Sequence, residues 1–221
     1  MKFKILLILA LVFSHLLSAQ NRSGGLSNNV FNNNLDFFAI QKVDNVYNNG
    51  KISDVQGSPY LWNGWKVVSV KISSGNNPSY QVPARYNVLA NRFEIQVNGE
   101  AYMLDPNAIL SIHAGTRTFK PGPTVAYTYH EELAAGASIS LFKIHSATLL
   151  ESPGKTLGLI ERKIVLKEKE MLQLNDGSVV KLPRRKKKLM KLLDVPPAKK
   201  EAFKDLNVKD PEDLSRIIES I

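Results

Sequence analysis

Five consecutive basic residues near the C-terminus form the densest group of charged side chains in this sequence. They are Arg184, Arg185, Lys186, Lys187 and Lys188. Clustered guanidinium and ammonium groups bind phosphates and anionic lipid headgroups. Residues 181–221 contain 12 basic and 7 acidic residues, so much of the positive charge lies there. The run therefore predicts a contact with an anionic surface, and the competing interpretation is a solvated helix face that has no ligand.

A second candidate site is aromatic. Trp62 and Trp65 lie close to Tyr60, and such a cluster can stack against a carbohydrate or a peptide. The competing interpretation is a set of aromatic side chains that seal one end of a sheet. Further along, Arg85 could hold a ligand carboxylate, or it could brace its own backbone beside a turn.

His130, followed by Glu131 and Glu132, suggests acid–base chemistry or metal binding. The spacing predicts that these residues end a strand and enter an exposed turn. His113, His130 and His145 show no metal-site spacing, and the H-E-x-x-H motif is missing. We therefore expect a non-catalytic protein with no metal and no cofactor. A metal-dependent or acid–base hydrolase that uses His130, Glu131 and Glu132 is the alternative.

The first nineteen residues have the pattern of a signal peptide. Lys2 and Lys4 precede an apolar run from Ile5 to Leu17, and Ala19 offers a small residue before the expected cleavage site. The remaining 202 residues carry 27 basic and 20 acidic side chains. The sequence has no cysteine, which excludes disulfides, thiolate catalysis and cysteine-based zinc sites.

Export determines which partners are expected. An exported protein, in the periplasm, outside the cell or associated with a membrane, meets little nucleic acid. An anionic lipid surface, a glycan or another envelope protein is the expected partner. No later segment has 18 consecutive apolar residues, so we expect no transmembrane segment in the mature chain.

Composition divides the mature chain into three parts. Residues 20–57 are rich in asparagine and have few apolar side chains to offset the entropy of ordering, which predicts a flexible leader. Residues 58–182 read as strands separated by turns at roughly ten-residue spacing, which predicts an antiparallel barrel or sandwich. Residues 183–221 predict a small, basic, helical tail.

Local patterns locate several of these elements. Asn98-Gly99 separates the alternating segment 92–97 from the segment 101–104, which is a strong hairpin signal because both turn residues tolerate positive φ. Asn175-Asp176-Gly177 is a second hairpin signal, and the segments 124–130 and 137–144 predict further strands. In the tail, Asp210-Pro211 predicts the start of a helix, with aspartate as the N-cap.

Three stretches together resemble a family of exported Bacteroidota proteins of unknown function. They are Ser58-Pro59-Tyr60-Leu61-Trp62, then Val82-Pro83-Ala84-Arg85-Tyr86-Asn87, and the Lys-rich helical tail that follows Leu182-Pro183. The resemblance covers most of residues 58–221. It implies export, a turn at the second stretch and a β domain with a helical tail, and it implies no catalytic residues.

Overall fold

The computed structural model describes residues 41–42, 55–122, 128–154 and 160–221. The predicted signal peptide at 1–19 and most of the predicted leader at 20–57 lie outside these ranges. The described part is mainly β, with three short α-helices near its C-terminal end, as the sequence predicts. The strands are β1 (Gln41–Lys42), β2 (Val55–Gln56), β3 (Lys66–Ile72), β4 (Ser79–Asn87), β5 (Arg92–Val97), β6 (Glu100–Met103), β7 (Ile109–Ala114), β8 (Arg117–Pro121), β9 (Tyr129–Ala135), β10 (Ser140–Pro153), β11 (Ile160–Gln173) and β12 (Val179–Lys181). The helices are α1 (Lys186–Leu192), α2 (Pro197–Ala202) and α3 (Pro211–Glu219).

All twelve strands belong to one sheet. Its order is β1-β6-β5-β4-β3-β7-β8-β9-β10-β11-β12, with every neighbouring pair antiparallel, and β2 pairs in parallel with β11. Strands β1 and β2 both come from the region predicted to be a leader. At these positions the predicted leader therefore pairs with the sheet.

The predicted turns form where the backbone conformation requires them. Asn98 and Gly99 have φ values of 51° and 83°, and they join β5 to β6 with Val97 opposite Glu100. Gly177, with φ of 78°, lies in the turn between β11 and β12. A β-carbon is disfavoured at positive φ, and glycine and asparagine tolerate this region best. Both hairpin predictions are confirmed.

The sheet folds over on itself around an aromatic interior. Phe93 on β5 stacks on Tyr86 of β4 with ring centroids 4.7 Å apart. The same ring meets Phe119 of β8 at 5.2 Å and Tyr129 of β9 at 5.0 Å. Strands β8 and β9 are not neighbours of β5 in the sheet, so these contacts cross the interior. Such enclosure is the feature that barrels and sandwiches share.

One turn prediction is wrong. Val82 to Asn87 lie within β4, where Tyr86 is completely buried and Arg85 is partly exposed on the opposite face. The resemblance implies a turn at this segment, and Pro83 and Asn87 are of residue types common in turns. The register with β3 and β5 overrides that local signal, because it buries Val82, Ala84 and Tyr86 on one face.

The helical tail covers the β9–β12 part of the sheet. Each helix has fewer than ten residues, so tertiary packing rather than helix propensity must stabilise it. Leu189 of α1 and Ile217 of α3 have no exposed surface, and they belong to one apolar cluster with Leu141 of β10 and Leu172 of β11. Helix α3 begins as predicted, with the Asp210 carboxylate accepting hydrogen bonds from the backbone of Glu212 and Asp213.

In the part of the chain that the structure describes, no helix has the length and apolar composition needed to cross a membrane.

Candidate functional site

The basic run lies at the start of helix α1. Arg185 is the N-cap residue, and its side chain makes no capping hydrogen bond. The first turn of α1 contains no acidic residue, although negative side chains are the ones that stabilise a helix N-terminus. Positive side chains at this end oppose the helix dipole, by about 0.3–1 kcal/mol each. The run therefore does not stabilise its own helix electrostatically.

Four residues of the run are exposed, because the apolar face of α1 is buried. Leu189 and Met190 point into the cluster shared with the sheet, which turns the opposite side of the helix outward. Arg184, Arg185, Lys187 and Lys188 are exposed there. Within the described ranges none of the four forms an ion pair with a carboxylate. We name these four residues the basic surface.

Lys186 has a different role from its neighbours. Its Nζ donates hydrogen bonds to the carbonyl oxygens of Lys204 at 2.6 Å and Leu206 at 2.7 Å. These carbonyls lie just beyond the C-terminal end of α2, where the negative end of the helix dipole also favours a cation. Lys186 therefore ties α1 to the segment after α2, and it is a structural residue rather than part of the basic surface.

Several carboxylates of the tail are occupied elsewhere. Glu201 pairs with Lys204, and Asp210 caps α3. Asp213 accepts a hydrogen bond from the backbone of Asn207. The positive potential of the basic surface is consequently not neutralised by these groups.

Of the two tryptophans, Trp62 is buried and Trp65 packs against an arginine. Trp62 is 8% exposed, lies 6.1 Å from Phe93 between ring centroids, and donates from Nε1 to the carbonyl oxygen of Ala84. Trp65 is partly exposed, and its ring lies 4.2 Å from the guanidinium of Arg85. Tyr60 contacts the guanidinium from 4.1 Å. The aromatic side chains therefore enclose Arg85 and seal this part of the sheet, which is the competing interpretation given above.

Arg85 binds a buried carboxylate that sequence reasoning missed. Glu94 on β5 has no exposed surface, and its Oε2 lies 2.8 Å from both Nε and Nη2 of Arg85. Its other oxygen accepts from Asn87 Nδ2 at 3.0 Å and from Arg92 Nε at 3.3 Å. Burial, followed by the charge of Glu94, raises the pKa of Tyr60 to about 12. The buried carboxylate of Glu94 is therefore satisfied by residues of the chain itself.

The predicted group of His130, Glu131 and Glu132 does not form one site. These residues lie inside β9 rather than at its end, so the predicted exposed turn is wrong. Side chains alternate along a strand. Glu131 contacts Arg117 and His145 on one face, while the His130 ring lies against Phe142 on the other, with centroids 4.7 Å apart. Glu132 pairs with Lys120.

Glu131 instead joins three strands of the sheet. Its two oxygens accept from Arg117 Nε at 2.8 Å and Nη2 at 2.6 Å, and His145 Nε2 lies 2.8 Å from Oε2. His145 Nδ1 lies 3.2 Å from Glu168 Oε1, outside hydrogen-bonding geometry. Burial opposes ionisation of Glu131, but the hydrogen bonds from His145 and Arg117 outweigh it and lower its pKa to about 2. Such a carboxylate is a weak base, and the arrangement is a structural ion-pair network.

The remaining histidines offer no metal site. Burial lowers the pKa of His130 to about 4, with Lys120 lowering and Glu132 raising it, so this ring is neutral at pH 7. His113 contacts Ser111 and Thr118 on the surface. Among the described residues, no three histidine, aspartate or glutamate side chains converge in the way that a metal ion requires.

We compared the chain with protein-family models, with curated proteins and with solved structures, and none of the three comparisons found a match.

Proposed function

We propose that this protein is a non-catalytic, exported module of the cell envelope that binds an anionic lipid surface through Arg184, Arg185, Lys187 and Lys188. The observation that carries the proposal is the exposure of these four cations, without a carboxylate partner in the described ranges, at the helix end where they oppose the dipole. Because positive side chains at this position destabilise the helix, binding of an external anion is the favoured explanation for their presence.

Magnitudes support a lipid surface as the partner. Each basic residue near an anionic membrane contributes about 1 kcal/mol, so the four residues together contribute about 4 kcal/mol to binding. The apolar face of α1 is buried against the sheet, so this helix has no free apolar face to insert among acyl chains. The expected contact is therefore peripheral, electrostatic and sensitive to salt.

Three sequence features support the cell envelope as the location. The first nineteen residues have the signal-peptide pattern, the chain has no cysteine that would need oxidation, and the resemblance is to an exported family. Outside the cytoplasm the most abundant phosphate-bearing surface is lipid rather than nucleic acid. The location and the charge thus favour the same partner.

The geometry does not favour the hydrolase alternative. Glu132 lies on the same face of β9 as His130, but its carboxylate is paired with Lys120. Strand alternation separates His130 from Glu131, and both oxygens of Glu131 are already bound by Arg117 or His145. General acid–base catalysis by a pair of residues needs both groups to reach the reacting atoms of the same substrate. These two lie on opposite faces of the sheet.

Vesicle co-sedimentation tests the proposal. The purified protein should sediment with phosphatidylglycerol vesicles at low salt and remain in solution with phosphatidylcholine vesicles. At about 1 M salt, where the Debye length is about 3 Å, it should be released. Equal binding to both lipids, or binding that salt does not change, would contradict an electrostatic surface contact. No binding to either would redirect the search to glycans and envelope proteins.

A further inference from the structure

A pocket of about 440 Å³ lies between the sheet and the helical tail. Its walls come from three parts of the chain that are far apart in sequence: Leu133 and Leu141 on β9 and β10, Leu182 before α1, and Val208 and Leu214 at α3. These side chains make the interior apolar. A volume of this size lies in the range of small-molecule sites, toward its lower end. It suits one acyl chain better than the two chains of a phospholipid.

The polar part of the lining is mostly positive. Arg184 and Lys209 both line the pocket and both are exposed, and Glu170 is its one carboxylate. Neither cation forms an ion pair with a carboxylate in the described ranges. An apolar interior lined by two free cations complements a molecule with an apolar chain and a negative head.

We propose that this pocket binds a single-chain anionic amphiphile, specifically a long-chain carboxylate. The chain lies against the partly exposed side chains of Leu133, Leu182 and Val208, and the carboxylate lies between Arg184 and Lys209. The inference goes beyond contact with a lipid surface, because it assigns an open pocket with its own ligand. Arg184 belongs to both sites, whereas Lys209 belongs to the pocket alone.

Calorimetric titration of the full chain with dodecanoate, below its micelle concentration, tests the site. We expect one dodecanoate per protein, and affinity that falls about tenfold for each two methylene groups removed from the chain. Dodecyltrimethylammonium, with a chain of the same length and the opposite charge, should bind at least tenfold more weakly. Equal affinity for the two amphiphiles, or no dodecanoate binding, would overturn the proposal.

Matched variants locate the binding. The double variant Arg184→Gln, Lys209→Gln should weaken dodecanoate binding at least tenfold. The double variant Lys187→Gln, Lys188→Gln removes the same amount of charge outside the lining, so it should leave the affinity for dodecanoate unchanged. Ser215→Trp should block the pocket, because Ser215 lines it. If Ser215→Trp fails to fold, the double variant Arg184→Gln, Lys209→Gln still tests the site, because both of its side chains are exposed and their replacement should not disturb folding. An equal effect of the two charge pairs would overturn the assignment.

The two proposals fail separately. If both sites act as described, the double variant Lys187→Gln, Lys188→Gln loses vesicle binding and keeps dodecanoate binding. Vesicle binding without dodecanoate binding would remove only the pocket. Dodecanoate binding without vesicle binding would remove only the basic surface.

Discussion

Arg85 and Glu94, on neighbouring strands, form an ion pair in which the carboxylate has no exposed surface and the guanidinium is enclosed by two aromatic rings. The distance from Nη2 to Oε2 is 2.8 Å. Such a pair costs desolvation energy to form, and removing one partner leaves the other charge uncompensated. The relationship explains why Tyr60 and Trp65 lie where they do without any ligand.

Replacing the buried carboxylate should therefore be costly. Glu94→Gln leaves Arg85 and Arg92 without their anionic partner, and we expect the free energy of unfolding to fall by about 3 kcal/mol. Urea denaturation measures the change. Glu161→Gln, at an exposed position on β11, is the control and should stay within about 0.5 kcal/mol of the parent. Matching effects of the two changes would show that the buried pair is not important for stability.

Acid should destabilise the fold in two steps. His130 has a pKa of about 4 when folded against an ordinary 6.5, because burial disfavours its charged form. The unfolded chain then binds the proton more tightly, so stability is full above pH 6.5 and is lost as the pH falls toward 4. Glu131, with a folded pKa of about 2 against 4.5, adds a second loss between pH 4.5 and 2.

Denaturation at several pH values separates the two steps. Between pH 6.5 and 4 the parent should lose about 3 kcal/mol that His130→Gln does not lose. Glu131→Gln should instead flatten the profile below pH 4.5. A profile of His130→Gln that stays parallel to that of the parent would exclude His130 as the source of the first step.

Neighbouring lysines of the basic run should have separable effects. Lys186→Gln removes two hydrogen bonds to the carbonyls of Lys204 and Leu206, so we expect it to cost about 1 kcal/mol of stability and to leave vesicle binding nearly unchanged. Lys187→Gln should do the reverse, because this side chain is exposed and has no such partner. Thermal melts and vesicle co-sedimentation on both variants distinguish these roles. The same phenotype in both would show that position along the run does not matter.

Close packing of α3 depends on a glycine. A β-carbon at Gly136 would overlap the carbonyl oxygen of Ile218 in the last turn of α3. Gly136→Ala should therefore displace this helix, lower the melting temperature by several degrees and weaken dodecanoate binding, since Leu214 and Ser215 of α3 line the pocket. Ala137→Ser, at the exposed neighbouring position, is the control. An unchanged melt in Gly136→Ala would mean that α3 is not docked at this point.

Local signals in the sequence predict much of the fold. Asn98-Gly99 fixes a hairpin through its own backbone preference, and Asp210-Pro211 fixes the start of α3 through capping. Phe93, Ile95 and Val97 are buried together, as their alternation predicts. Each of these features depends on residues within one turn or strand of each other, which is why a single sequence contains the information.

The contacts that define the candidate sites depend on how the strands pair, and no local pattern encodes them. Glu94 occupies the outward face of an alternating strand, yet Arg85, Arg92 and Asn87 cover it. Glu131 meets Arg117 and His145, both 14 positions away along the chain. The pocket likewise forms only after the tail has folded against β9 and β10. The pairing of the strands and the packing of the tail determine which residues become neighbours, and amino-acid composition does not.

The measurement that tests the central claim most directly compares two triple variants in phosphatidylglycerol vesicle binding at low salt. One replaces Arg185, Lys187 and Lys188 by glutamine, and the other replaces the exposed lysines Lys163, Lys167 and Lys169 on β11. At about 1 kcal/mol for each residue, the first should weaken binding about a hundredfold, whereas the second should change it severalfold at most. Equal losses would show that net charge drives binding, and would contradict a defined basic surface at α1.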